Sequence, residues 1–171
     1  MPEEFDEPEG QPDDLDKPPS FFPYEDGPAR RESHASGVLV EVQIEGVFAA
    51  ESAGNVSRFV LLADPESGRK LPILIGPYEA QAITLPLEGT RPDRPMTHDL
   101  IRNLMEKLGG ELDRIVIDDL WNTTYYAKLY IKKGAEEFEI DARPSDSLAI
   151  AVRYDAPIFV AASIFDQAFE E

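Results

Sequence analysis

The stretch Ile140-Asp-Ala-Arg-Pro-Ser-Asp-Ser-Leu-Ala-Ile-Ala-Val-Arg153 limits what this chain can fold into. Phe138 and Ile140 flank Glu139 in the period of two that marks a strand running in. Leu148, Ala149, Ala151 and Val152 recur at the spacing of a helix running out, over about 145–154. Pro144 disfavours the α region for Arg143, so the chain stays extended up to that residue. Ser145 then suits an N-cap, its hydroxyl accepting from a free backbone N–H. Asp146 falls in the first turn, where the helix dipole favours a carboxylate. Asp141, Arg143 and Asp146 are thus expected to converge on one strand-to-helix corner. Two acids and a fork-shaped cation there suit metal and phosphate chemistry. A capped helix with a local Arg–Asp pair explains the same residues, and structural ion pairs are the commoner case.

The rest of the chain supports an α+β domain with a mainly antiparallel sheet and about three helices. Val40, Val42 and Ile44 alternate with Glu41, Gln43 and Glu45, a half-buried strand with a candidate bulge at Gly46. Residues 58–63 and 70–75 follow as strands around turns, an antiparallel meander. Pro77 fits the first turn of a helix that Pro86 kinks or ends. Thr97 is a candidate cap for the next helix. Leu100, Ile101, Leu104 and Leu108 are expected on one helical face, with Leu100, Leu104 and Leu108 turned inward, and Gly109 suits the position beyond its end. Residues 112–120, 124–132 and 136–142 read as strands, 158–161 as a short one, and Ser163 as the cap of a last helix.

Residues 1–33 are rich in Pro, Asp and Glu and are expected to be a disordered acidic tail, with the domain spanning 34–171. Phe21-Phe22-Pro23-Tyr24 is its apolar cluster and a candidate docking motif; His34, at the boundary, receives no role. The chain has no Cys, which excludes a disulfide framework and a thiolate metal site. No apolar run approaches the roughly 20 residues of a membrane span, and the acidic start lacks the pattern of a secretory signal. Cytoplasmic residence is the default expectation. Oligomeric state is left open, a homo-oligomer included.

Net charge is −18, which counts against a nucleic-acid partner, since such binders usually carry a basic footprint. A local arginine cluster, a bridging divalent metal, or acidity serving solubility at high salt would each relieve that tension. Arg91, Arg94, Arg143 and Arg153 are the phosphate candidates, each offering a planar fork. His98 suits proton transfer, metal or phosphate binding. Asp99 beside it either joins that chemistry or simply favours the helix dipole. Asp118-Asp119 is a second acid pair, but neighbouring residues of a regular strand face opposite ways and cannot both face one metal, so a turn role is expected. Tyr126 and Tyr130 either stack bases or belong to a half-buried sheet face, the latter being favoured.

Three blocks carry a resemblance. Asp141-Ala-Arg-Pro-Ser-Asp146 leads into an Ala-rich helix and Ala156-Pro-Ile-Phe-Val160. Leu71-Pro-Ile-Leu-Ile-Gly76 with Glu79-Ala-Gln-Ala-Ile83 is the second, and Arg94-Pro-Met-Thr-His-Asp-Leu100 the third. Together, over about residues 38–169, they resemble the bifunctional nuclease family. The resemblance implies an α+β domain that cleaves DNA and RNA. It also places Glu79 at a motif position. On this reading Asp141 and Asp146, with Glu79 or Asp99, hold Mg²⁺ or Mn²⁺, Arg143 offsets charge on the phosphate, and His98 moves protons. The alternative is a non-enzymatic acidic protein-interaction module, favoured if Asp141, Asp146 and His98 lie apart.

Overall fold

Fourteen residues of one strand, β1 (Leu39–Ser52), carry the sheet around a bend. The computed structural model describes residues 37–52 and 54–168; the expected tail, its aromatic cluster, His34 and the boundary at residue 34 lie outside them. β1 pairs with β7 (Ile158–Ala161) through Leu39 to Val42 and with β2 (Asn55–Ala63) from Gln43 onward. The register shifts between Ile44 and Gly46, the bulge that the glycine suggested. A bulge bends and twists its strand, which lets β1 serve both halves of the sheet. β3 (Lys70–Ile75) completes one end. β4 (Glu111–Trp121), β5 (Thr124–Lys133) and β6 (Glu136–Ala142) complete the other, in the order β3-β2-β1-β7-β4-β5-β6. β4 and β7 are parallel and every other pairing is antiparallel.

β6 and β7 run in the same direction, so a crossover must join them. That crossover is α3 (Pro144–Tyr154), which packs on β4 and β5. Leu148, Ala149, Ile150 and Ala151 are all buried, and the small alanines admit α1 (Pro77–Leu87) and α2 (Thr97–Lys107) close alongside. α4 (Ala162–Ala168) packs on β3, β4 and β7 with Ile164 and Phe165 fully buried.

Several expectations change. Arg143, not Ser145, is the N-cap of α3, with extended φ −67° and ψ 144°. Proline at the first helical position lacks the N–H that would go unpaired there, so the helix starts earlier than a serine cap would give. Met96, not Thr97, is the N-cap of α2, and α4 begins at Ala162 rather than behind a Ser163 cap. Asp118 lies in β4 rather than in a turn, beside a register shift at Ile117/Asp119. It is buried and its carboxylate meets Lys128 Nζ at 3.2 Å. Burial holds its pKa above the usual carboxylate range against the pull of that lysine. Tyr130 belongs to the charged outer sheet face, with the Arg114 guanidinium 3.9 Å over its ring.

The inner face of α2 is also rotated. Leu100, Leu104 and Leu108 are exposed, and Ile101 and Met105 pack on the core. The two rows sit one residue apart, about 100° around a helix, and both are apolar. We therefore expect Leu104→Ala to change stability by less than about 0.5 kcal/mol. Leu148→Ala, in the fully buried crossover, should cost about 2–5 kcal/mol. Urea unfolding of the two variants side by side checks both.

Candidate active site

Three helices begin at one cleft. Pro77 and Pro144 open α1 and α3, each with its fixed φ suited to a first turn. Glu79 projects from the first turn of α1, His98 from that of α2, and Asp146 from that of α3, whose cap is Arg143. These four line a cleft of ≈ 580 Å³ together with Tyr78, Gln81, Met96 and Thr97. Each helix N-terminus carries a partial positive charge and free N–H groups, so the three starts and Arg143 oppose the net charge of the chain locally.

The side chains form one chain of contacts. Arg143 donates from Nε to Asp146 Oδ2 at 2.7 Å, from Nη2 to Oδ1 at 3.2 Å, and from Nη1 to Glu79 Oε1 at 3.2 Å. His98 Nε2 lies 3.0 Å from Asp146 Oδ1. A guanidinium has five N–H donors. Three are used here, and the side chain is 66% exposed, which leaves two for a phosphate oxygen. Burial alone would raise the pKa of Asp146, but the bonds from Arg143 and His98 outweigh it and hold it below the usual range. Asp146 is therefore an anion that only accepts. His98 must donate to it from Nε2, and in the neutral form of the imidazole that puts the lone pair on Nδ1. Arg143 is in turn held more firmly protonated, first by its bond to Asp146. At Gly76 a Cβ would press on the Glu79 carboxylate folded back over it, and that flexible end would have to move.

The structure brings Glu79, His98, Arg143 and Asp146 together and leaves the other candidates elsewhere. Asp141 does not join Asp146. In register it stands opposite Lys128 on the charged outer sheet face, while its neighbour Ala142 packs against the core. Asp99 is turned away from the cleft chain. Its Oδ2 accepts from the Met96 N–H at 2.9 Å and its Oδ1 from Arg153 Nε at 2.6 Å. Arg153 is buried, with Nη1 also donating to the carbonyls of Ala82 and Ala149, so it is not placed to meet a solvent phosphate. Arg91 and Arg94 are exposed in the loop of residues 88–96, which ends at Met96 on the cleft. Sequence reasoning overlooked Gln81 and Tyr78 as lining residues, although Gln81 shares a block with Glu79.

The expected divalent cation does not fit this donor set. Among the described residues no three His, Asp or Glu side chains gather as a metal-binding group. Asp146 Oδ1 already accepts from Arg143 and His98 and Oδ2 from Arg143, and Asp141 lies on another face.

Acid should weaken the hold of Asp99 on this region, as it weakens the other depressed carboxylates, Asp64 and Asp113. Burial would raise the pKa of Asp99, yet the Arg153 and Met96 bonds hold it low, as Asp146 is held low. A carboxyl whose folded pKa is depressed stabilises the fold above its unfolded pKa and loses that contribution as pH falls through the folded value. Stability should therefore drop below about pH 4. Asp99→Asn should flatten that limb, measured by unfolding free energy from about pH 6 to about pH 2.

A family model described as "Bifunctional nuclease domain" matches residues 60–171. An uncharacterized protein of Mycobacterium tuberculosis is 45% identical over 128 residues, 75% of each chain. "Bifunctional nuclease 2" of Arabidopsis thaliana is 27% identical over 61% of this chain and 32% of its own length. "Bifunctional nuclease 1" of Oryza sativa subsp. indica is 29% identical over 59% and 31%. The chain thus spans about a third of each of these plant proteins. No helix among the described residues is long and apolar enough to cross a membrane.

Proposed function

The chain belongs to the bifunctional nuclease domain family, and from that membership and the cleft we propose that it hydrolyses phosphodiester bonds of DNA and RNA where the three helices begin. The observation that carries this reading is the His98–Asp146–Arg143 chain inside a cleft ringed by helix N-termini. Asp146 fixes the imidazole by its Nε2–H, and Nδ1 takes a proton from a water that attacks phosphorus. The P–O ester bond opposite the water breaks, and the departing oxygen is protonated from solvent. The two spare N–H groups of Arg143 brace the non-bridging oxygens as charge builds there. Glu79 holds the third edge of the guanidinium and so sets its plane. Arg91 and Arg94 would guide the flanking strand along the 88–96 loop. No step passes through a metal, because the donors present do not form a site for one.

The test is a cleavage assay of the full chain on single- and double-stranded DNA and RNA, with and without EDTA, across salt. Products are expected from both nucleic acids in EDTA, with binding weakening as salt rises. Absence of product from all four substrates under every condition would overturn the reading. Activity lost in EDTA and restored by Mg²⁺ or Mn²⁺ would overturn the metal-free route.

A further inference from the structure

We propose that Arg153 is a positioning residue, the buried clamp that sets the three helix starts against one another. Its guanidinium touches all three helices. Nη1 donates to the carbonyl of Ala82 in α1 at 2.7 Å and to that of Ala149 in α3 at 2.6 Å, and Nε donates to Asp99 in α2 at 2.6 Å. Each of these points lies within one turn of a cleft residue. Ala82 follows Glu79 by three residues, Ala149 follows Asp146 by three, and Asp99 directly follows His98. The tie to α2 reaches furthest. Asp99 grips Arg153 with one oxygen and the Met96 N–H with the other, which fixes the turn that carries His98.

Helix packing alone does not need this arrangement. Tyr154 donates its hydroxyl to the Arg102 carbonyl at 3.2 Å, and the Arg102 guanidinium lies 5.0 Å over the Tyr154 ring. Those contacts hold α2 against α3 beyond the clamp. Removing the Arg153 fork therefore frees the register of the first turns while the bundle stays packed. A lysine cannot replace it, since one ammonium on a flexible stem does not reach three acceptors in a plane.

Only the activity part of this inference rests on the cleavage reading, so the test has two readouts. Arg153→Met, Asp99→Asn and, as a stability control, Ile164→Ala in α4 are compared with the wild-type full chain. The first readout is the ¹⁵N-resolved imidazole Nε2–H signal of His98, which reports its bond to Asp146. The second is kcat and KM for a labelled single-stranded DNA oligonucleotide. The His98 signal should persist in wild type and in Ile164→Ala, vanish in Arg153→Met, and weaken in Asp99→Asn. In Arg153→Met, kcat should fall about 100-fold, the scale of a misplacement of about 1 Å, with KM changing far less. A folded Arg153→Met that keeps the His98 signal and wild-type kcat would overturn the clamp. So would loss of the signal in Ile164→Ala at an equal loss of melting temperature. Should Arg153→Met not fold, Asp99→Asn decides, and an unchanged His98 signal there overturns the proposal. If wild type cleaves nothing, the cleavage reading falls while the imidazole signal still settles the clamp.

Discussion

Replacing His98 with glutamine should lower cleavage by about 10²–10⁴-fold, the usual worth of a positioned acid–base group. Glutamine is the informative choice. Its amide can still donate to Asp146, which His98 does from Nε2 at 3.0 Å. It cannot take a proton at the position of Nδ1. The side chain of His98 is 12% exposed, so a large cavity-making change would confuse packing with chemistry. Glutamine fills most of that space, and its melting temperature should stay near wild type. Single-turnover rates with excess enzyme check the chemical step without product release. A His98→Gln protein that cleaves at the wild-type rate would remove His98 from the reaction.

Asp146→Asn should have the second large effect, a loss of about 10²-fold or more in kcat. The change keeps the size of the side chain and removes its charge. An amide can present its own N–H to His98, which then has no reason to keep its proton on Nε2, so the lone pair leaves Nδ1. Arg143 loses the charged partner that fixes it on two sides. Stability should change little, because Arg143 is 66% exposed and a solvated ion pair contributes only about 0–1 kcal/mol. Arg143→Lys makes a companion test. It keeps the charge and loses the fork, and its activity should fall clearly but less than with Asp146→Asn. Wild-type cleavage with a lowered melting temperature in Asp146→Asn would make this residue a helix-start group only.

How much of this was legible depends on the residue. Arg143-Pro144 announced an extended residue followed by a helix, and both form there, though with Arg143 rather than Ser145 as the cap and without Asp141. Glu79, His98 and Asp146 each stood near a helix start in the sequence, though nothing in the spacing says that the three starts meet. Tertiary packing of α1 and α2 along α3 decides that. Asp141 was misread against an available signal. Phe138, Ile140 and Ala142 share one face by the period of two, so Asp141 must share the other with Glu137 and Glu139. Ile101 was read on one face with the leucines of α2, and Met105 was passed over because the leucine spacing of four is equally helical. No periodicity tells a buried arginine from an exposed one, so Arg153 passed as a phosphate ligand. The charge of −18 likewise describes the whole chain and not the cleft, where backbone dipoles carry no sequence signature.

The most direct measurement is backbone amide shift mapping of the full chain with a non-cleavable phosphorothioate oligonucleotide. Phosphodiester binding where the helices begin predicts the largest changes at residues 76–81, 96–99 and 143–147, fading as salt rises. Changes confined to the exposed Leu100, Leu104 and Leu108 side of α2 or to the outer sheet face, with those three segments silent, would contradict it.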